Sequence, residues 1–111
     1  MTPNKEDYLK CIYEIGMEFP KVTNKEIAAR MQVSPPAVTE MIKRMQAENL
    51  ILKDKKKGYL VTDIGLKLVS ELYRKHRLIE VFLVHHLDYT SDQIHEEAEV
   101  LEHTVSDFFV E

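Results

Sequence analysis

The sequence has few of the features that mark secreted, membrane-spanning or thiolate-binding proteins. Its single cysteine, Cys11, excludes an intramolecular disulfide and any zinc site built from several thiolates. No apolar run reaches the roughly 18 residues that a membrane-spanning helix needs, and the N-terminal stretch MTPNKEDY is too polar for a signal peptide. Internal repeats and low-complexity segments are also absent. We therefore expect a protein of the reducing cytoplasm with no membrane partner.

Charge is distributed unevenly along the 111 residues, a length that suits one or two small domains. Residues 1–60 carry 11 Lys/Arg and 8 Asp/Glu, a balance of +3, whereas residues 61–111 carry 4 and 11, a balance of −7. All five histidines lie in the acidic part: His76, His85, His86, His95 and His103. This asymmetry indicates an anionic partner for the first half and a cation for the second.

Apolar periodicity and capping residues predict five helices and one hairpin. The helices are predicted over 4–18, from a capping-box pattern at 23–26 to residue 31, from 35 to about 49, from 63 to about 87, and from 91 to the end of the chain. The alternating stretch LILKDKKKGYLVT predicts the hairpin. The fold is thus expected to be mainly α with a small β-hairpin, a winged helix-turn-helix at 1–62 followed by a helical domain at 63–111.

The turn MQVSPP joins the second and third predicted helices, an arrangement that presents the third helix to the major groove of DNA. Small and hydroxyl side chains at the start of the third helix allow close approach to base edges, and the Lys and Arg side chains further along it favour contacts with phosphates. The segment KDKKKG is a candidate wing, although alone it is typical of a solvated hairpin tip. The predicted DNA-contacting residues are Ser34, Pro36, Ala37, Thr39, Glu40, Lys43, Arg44, Lys55, Lys56 and Lys57.

The segment HEEAEVLEH, residues 95–103, contains two histidines and four glutamates in nine positions. Glu99, Glu102 and His103 stand at i, i+3 and i+4, so they share one face of a helix, and His95 extends that face. A neighbouring apolar stripe is predicted at Ile94, Ala98, Leu101, Val105 and Phe108. By itself, a Glu-x-x-Glu-His segment is more often a solvated helix face than a set of metal ligands, so both interpretations stay open at this point.

Two other helices offer ligands of the same kind. His76 and Glu80 form an i, i+4 pair on the preceding helix, and Glu6 and Asp7 lie near the start of the first. Carboxylate oxygens and imidazole nitrogens without thiolates favour Mn²⁺ or Fe²⁺, and Zn²⁺ would still bind such a set tightly. A divalent-metal site in the second half is the resulting hypothesis.

Four segments together resemble the diphtheria-toxin-repressor family of metal-dependent regulators: EDYLKCIYEI, TNKEIAARMQVSPPAVTEMIKRM, YRKHRLIEVFL and EEAEVLEHTVSD. They cover essentially the whole chain in the family's order, and the sequence looks most like the manganese-responsive, streptococcal-type branch. The resemblance implies a homodimeric repressor of metal-uptake genes that binds a palindromic operator. Because family members continue beyond the terminal FFVE, the chain is expected to be part of a longer protein.

The resemblance also implies two metal sites, one that joins the first helix to the second domain and one between the two helices of the second domain. Position by position, it places Asp7, Glu99, Glu102 and His103 in a first site and His76, Glu80 and His95 in a second, which residues beyond this sequence would complete. Iron-responsive relatives carry Cys where this chain has Glu99 and Met near the position of Asp7, so Mn²⁺ is the first expectation and Fe²⁺ the second. Zn²⁺ and Cd²⁺ are expected to fill the sites in vitro. Lys10 replaces a glutamate of some manganese-responsive relatives, which argues against a two-metal cluster of that kind.

The resulting hypothesis is linkage, in which metal held between Asp7 and residues 99–103 selects one orientation of the recognition helices. One alternative is a winged-helix regulator that responds to a non-metal effector, and another is a pure dimerisation module. A metalloenzyme is the third alternative, but no nucleophile or phosphate-binding loop accompanies the ligands. We therefore expect no catalytic activity and no small organic substrate.

Overall fold

The computed structural model describes residues 4–86 and 91–103. It confirms the predicted order of elements, with five helices and a two-stranded antiparallel sheet: α1 (Lys5–Glu18), α2 (Asn24–Met31), α3 (Pro35–Ala47), β1 (Ile51–Asp54), β2 (Gly58–Val61), α4 (Asp63–His86) and α5 (Ser91–Leu101). The chain divides into two compact units, Met1–Val69 and Ser70–Glu111, so the division falls inside α4. In the described residues, no helix is both long and apolar enough to cross a membrane.

The helix starts follow from their capping residues. Ser34 caps α3 by accepting the N–H of Ala37 at 3.3 Å, and Pro35 occupies the first turn, where its missing N–H removes no helical bond. Thr23 caps α2 by accepting the N–H of Glu26 at 3.2 Å. In the described residues, the reciprocal bond of the predicted capping box, from the Thr23 N–H to the Glu26 carboxylate, is not formed. The Glu26 carboxylate accepts a hydrogen bond from Arg30 one turn later at 3.4 Å. Local side-chain hydrogen bonds thus determine where α2 and α3 begin.

The first unit is built around one apolar cluster to which all three of its N-terminal helices contribute. The inward face of α3 carries Val38, Ile42 and Met45, each at most 4% exposed. Burial of an aliphatic side chain contributes about 1.5–3 kcal/mol. Because this face is directed into the core, the opposite face of α3 is left to solvent. The packing therefore determines which side of α3 is available to a partner.

The hairpin between β1 and β2 pairs Ile51 with Val61 and Asp54 with Gly58. At its tip, the Asp54 carboxylate accepts the backbone N–H groups of Lys57 at 2.7 Å and Lys56 at 2.8 Å, and these bonds lower the pKa of Asp54 below its ordinary value. The Asp54 carboxylate consequently orders the turn that carries Lys55, Lys56 and Lys57.

A backbone bridge from the loop after α1 holds the turn end of the hairpin, where β2 begins. The N–H of Val22 donates to the carbonyl of Lys57 at 2.9 Å, and the N–H of Tyr59 donates to the carbonyl of Val22 at 3.3 Å. Gly58, with φ of +77°, lies between them, and a Cβ there would stand 2.0 Å from the Val22 carbonyl oxygen. Only glycine fits this position. The alternation of the hairpin sequence did not predict the bridge to Val22.

The described part of the second unit comprises residues 70–86 of α4, the whole of α5 and the two residues that follow α5. Ile79 and Leu83 of α4 pack against Ala98 of α5, with Ile94 and Leu101 at the edge of the cluster. The predicted members Val105 and Phe108 of this stripe lie outside the described residues, as does the rest of 104–111.

The helix α5 ends earlier than predicted, at Leu101. The N–H of Glu102 still donates to the carbonyl of Ala98 at 3.0 Å, but the N–H of His103 reaches the carbonyl of Val100 at 3.3 Å. This shift from an i−4 to an i−3 partner tightens the chain into a turn. Glu102 and His103 therefore follow the helix rather than continue it.

Candidate metal centre and nucleic-acid interface

The imidazole of His76 lies between two carboxylates. Its Nδ1 is 2.6 Å from Oε2 of Glu102, across from α4, and its Nε2 contacts Oε1 of Glu80 one turn along α4. The side chain of His76 is only 14% exposed. An imidazole can face a carboxylate at each nitrogen in two ways: both nitrogens carry a proton, or one carries a proton and a cation lies between the other nitrogen and its carboxylate. Such a ring is suited to hold a metal ion.

Glu102 is the buried acid of this cluster. The residue is 1% exposed, and an isolated carboxylate so far from water would be strongly unfavourable. Its Oε2 faces His76, and its Oε1 lies 3.4 Å from Nε2 of His103. Two imidazoles therefore accompany the two oxygens of one buried carboxylate. This arrangement stabilises the charge that burial would otherwise disfavour.

Glu99 and His95 form the outer rim of the same cluster. His95 stands 3.9 Å from Glu80 through Nδ1 and 3.7 Å from Glu99 through Nε2, and its ring centroid is 5.3 Å from that of His76. Its side chain is 68% exposed, in contrast to the buried side chain of Glu102. The cluster thus runs from a buried carboxylate outward to a solvated imidazole.

Two groups of donors in the second unit are close enough to share an ion. His76, Glu80 and His95 form one group, and His76, Glu99 and Glu102 form the other; in each, one ligand atom from every member lies within 4.8 Å of the rest. Atoms about 2.1 Å from an ion stand at most about 4.2 Å apart, so small side-chain shifts would complete coordination. The donor chemistry and the spacing both fit a divalent cation.

The sequence did not predict the bond between His76 and Glu102. The resemblance places these residues in different metal sites, whereas the structure has them 2.6 Å apart. A metal-binding imidazole commonly donates its other N–H to a carboxylate, which orients the ring and strengthens it as a ligand. Glu102 is positioned to do this for His76, so the ligands expected of the two sites adjoin in one hydrogen-bonded cluster.

The remaining predicted ligand, Asp7, lies on α1 in the first unit. Its Oδ2 accepts the N–H of Asn4 at 3.1 Å, and the Asn4 side chain accepts the N–H of Asp7 at 3.0 Å, which completes a reciprocal capping box. Nearby on the same helix, burial raises the pKa of the Cys11 thiol to about 11. Cys11 is therefore a protonated core residue at neutral pH and not a thiolate ligand.

The predicted DNA-contacting residues share the outer surface of α3 and the hairpin tip. All of them are exposed except Ala37, which is half-buried: Ser34, Pro36, Thr39, Glu40, Lys43, Arg44, Lys55, Lys56 and Lys57. The first four lie at the cap or on the N-terminal turns of α3, Lys43 and Arg44 follow about one turn later, and the three lysines form the tip. The surface available for a nucleic acid therefore combines the exposed side of α3, with its cations at Lys43 and Arg44, and the basic hairpin tip.

Two contacts that involve this surface were not evident from the sequence. Asn24 of α2 lies 3.5 Å from the hydroxyl of Thr39, to which its side-chain amide donates. The ammonium of Lys5 at the start of α1 lies 2.6 Å from the carboxylate of Glu48, the C-cap of α3. Both contacts join residues distant in sequence, so no local pattern could have predicted them. They join α3 to α2 through Thr39 and to α1 through the C-cap residue Glu48.

Two family models match the chain and together cover nearly all of it. Residues 1–59 match the model described as iron dependent repressor, N-terminal DNA binding domain. Residues 62–111 match iron dependent repressor, metal binding and dimerisation domain. The first match includes α3 and the hairpin, and the second includes His76, Glu80 and the whole segment 95–103.

Two proteins of known structure, ScaR and SloR, are similar to this chain. The chain is 77% identical to ScaR, whose crystal structure with bound Zn²⁺ gives a TM-score of 0.90 over 97% of this chain and 50% of that one. ScaR has also been solved with bound Cd²⁺ and as the apo form of a manganese-activated repressor. The manganese regulator SloR is 66% identical, with a TM-score of 0.85 over 99% of this chain and 51% of that one.

A more distant relative is the diphtheria toxin repressor of Corynebacterium diphtheriae. It is 32% identical over 107 residues, which are 96% of this chain and 47% of that protein. The chain thus spans about half the length of each of these three relatives.

Proposed function

This chain belongs to the iron-dependent repressor family, and from that membership we propose that it is a DNA-binding transcriptional repressor whose affinity for its operator depends on Mn²⁺. The observation that carries the proposal is the buried carboxylate of Glu102 against Nδ1 of His76, within a cluster of oxygen and nitrogen donors. A solvated helix face would have no reason to bury a carboxylate between two imidazoles. We infer that this cluster is the sensor.

Manganese is favoured by the donor set and by the relatives. The ligands proposed are carboxylates and imidazoles, and SloR and ScaR are described as a manganese regulator and a manganese-activated repressor. Fe²⁺ is the second candidate for the same ligands. The ScaR structures with Zn²⁺ and Cd²⁺ support the expectation that these ions enter such sites in vitro.

We propose that Asp7, Glu99, Glu102 and His103 hold the first ion and that His76, Glu80 and His95 contribute to a second. A bound cation would supply the positive charge that relieves repulsion among these carboxylates. His76 and Glu102 would connect the two ligand sets through their hydrogen bond. Asp7 would bring the start of α1 to the ligands of the second domain, so that ligation and the placement of the DNA-binding domain change together.

On the DNA side, the exposed face of α3 is proposed to enter the major groove and the lysines of the hairpin tip to contact phosphates. A homodimer would present two such helices to a palindromic operator. We place the functional boundary between residues 62 and 63 and the protein in the cytoplasm, and we propose no catalytic role. A coupling free energy of about 1–3 kcal/mol would change DNA affinity by roughly 5- to 150-fold.

The test is fluorescence anisotropy with DNA from the source genome at fixed salt, titrated with Mn²⁺ and then with a chelator. We expect affinity to rise with Mn²⁺, to fall with the chelator, and to lose this response in Asp7→Ala and in Glu102→Ala. Glu96→Ala is the matched control, because Glu96 is an exposed glutamate of α5 outside the donor groups.

Binding that ignores metal in the wild-type protein would contradict the proposal. It would favour a winged-helix regulator with a non-metal effector instead. Failure to retain DNA under any condition would favour a dimerisation module.

A further inference from the structure

We propose that Glu40 reads a base in each half-site by accepting a hydrogen bond from an exposed amino group, that of cytosine N4, in the major groove. The inference rests on the proposed function, since it requires α3 to enter the groove. It goes further, because it assigns a base preference to one residue and predicts how that preference changes.

The first step is to account for the polar atoms at the start of α3. The Ser34 hydroxyl already accepts the N–H of Ala37, and Pro36 and Ala37 carry no polar side-chain atoms. The Thr39 hydroxyl donates to the carbonyl of Pro35 at 3.2 Å and accepts from Asn24 at 3.5 Å. Both hydroxyls therefore have an acceptor role within the protein. Among the side chains of residues 34–40, the Glu40 carboxylate is a hydrogen-bond acceptor that takes part in none of these local bonds.

The second step concerns the charges near Glu40. Lys43 and Arg44 stand three and four residues further along α3, where a glutamate commonly forms an ion pair with a cation. Within the part of the chain that the structure describes, however, the Glu40 carboxylate has neither a hydrogen bond nor an ion pair. The carboxylate is exposed, so a DNA group can reach it without breaking a bond inside the protein.

The third step is the chemistry of a carboxylate in the groove. An ionised carboxylate only accepts hydrogen bonds, so it matches the cytosine amino group and is repelled by the acceptors O4 of thymine and O6 and N7 of guanine. Adenine presents an amino group beside the acceptor N7 and is therefore intermediate. The surrounding phosphates are also negative, so no neighbouring DNA group offsets the repulsion between the carboxylate and an acceptor on the wrong base. Glu40 would thus select mainly by rejecting the wrong base.

Exchange for glutamine should change this preference in a defined direction. The glutamine side chain keeps one acceptor and adds an amide donor, the pair of groups that adenine N6 and N7 match. We expect Glu40→Gln to move the preferred base at one position of each half-site from cytosine to adenine. The discrimination at that position should be on the order of tenfold or more.

The experiment selects preferred sites from randomised double-stranded DNA at saturating Mn²⁺, using wild-type protein, Glu40→Gln and Lys43→Gln. Each variant is then measured against the selected site and its single-base changes, and against a site in which 2-pyrimidinone, which lacks the N4 amino group, replaces the cytosine. We expect the analogue to weaken wild-type binding on the order of tenfold. Lys43→Gln, the matched control, should weaken all sequences about equally, as loss of a phosphate contact does.

The outcomes separate this inference from the proposed function. If the wild-type protein selects no sequence with Mn²⁺, the proposed function fails. If it selects a site but Glu40→Gln gives the same base profile, or if the analogue binds as well as cytosine, the assignment of Glu40 is wrong while the repressor function stands. A cytosine-to-adenine change confined to Glu40→Gln supports both. Unchanged thermal unfolding of the variants excludes misfolding as the cause.

Discussion

In the described residues, the first unit has one apolar cluster that extends from Tyr8 to Val69, and the second unit has a cluster formed by Ile79, Leu83 and Ala98. In the described residues of the second unit, the side chains beside these apolar ones include the buried Glu102 and the largely buried His76. Apolar packing stabilises the first unit, and the second unit depends in addition on how its charges are balanced.

This difference indicates a division of labour. A unit held by apolar contacts keeps α3 and the hairpin in one geometry whether or not a ligand is bound. A unit in which carboxylates and imidazoles crowd together responds to any cation that changes their mutual repulsion. The acidic balance of residues 61–111, −7 against +3 for residues 1–60, is consistent with this contrast. The comparison leads to four predictions, from the largest expected effect to the smallest.

Truncation of the first core should have the largest effect. Ile15 is fully buried, and Ile15→Ala should lower the free energy of unfolding by about 4 kcal/mol through lost burial and a residual cavity. Urea denaturation measures the change, and Mn²⁺ should not restore the loss. Met17→Ala is the control, because Met17 lies on the same helix and is 72% exposed, and it should change stability by less than about 0.5 kcal/mol. A small effect of Ile15→Ala would mean that apolar packing does not dominate this unit.

Loss of the buried carboxylate should have the next largest effect. Without metal, Glu102→Ala should destabilise the protein by about 3 kcal/mol, since it leaves His76 in a poorly solvated position without its partner at Nδ1. Glu96→Ala, which removes an exposed glutamate of the preceding helix α5, should be nearly neutral. Calorimetric unfolding of the two variants makes the comparison. Equal effects would show that Glu102 has no special role in the second unit.

Metal addition should stabilise the two units unequally. At a free Mn²⁺ concentration 100 times the Kd, stabilisation should reach about 2.7 kcal/mol. Hydrogen exchange with and without Mn²⁺ should show the increased protection mainly in residues 76–86 and 91–103, with α2 and α3 as internal references. Equal protection across both units, or none in α5, would contradict the division of labour.

Acid should affect the hairpin tip only weakly and at low pH. The backbone N–H groups of Lys57 and Lys56 lower the pKa of Asp54 from its ordinary value of 3.8. Because the folded-state pKa is the lower one, the stabilisation is complete above about 3.8 and is lost as pH falls through the folded-state value. Nuclear magnetic resonance titration should place the Asp54 transition below 3.8, and Asp54→Asn should remove the accompanying shifts of the Lys56 and Lys57 amides. A transition at or above 3.8 would refute the role of these two bonds.

Much of the fold was predictable because it depends on local chemistry. Ser34 and Thr23 cap their helices through bonds to residues three positions later, and apolar residues at helical spacing form the inward faces. The predicted helix from Ser91 was too long, since a tighter turn at His103 replaces the last helical bond. The free-energy difference between one more α-helical bond and this tighter turn is too small to be predicted from the sequence.

The candidate site was predictable as a set of residues but not as a network. The sequence by itself determined that carboxylates and imidazoles recur at helical spacing in an acidic half, and that a hairpin with lysines follows a capped helix, because these patterns are properties of neighbouring residues. Only the tertiary structure decided that Glu102 is buried against His76 while His95 stays exposed, and that Val22 bridges to Gly58 beside the hairpin tip. These contacts join residues up to 37 positions apart, and their distances are set by how helices and strands pack, which no local spacing specifies.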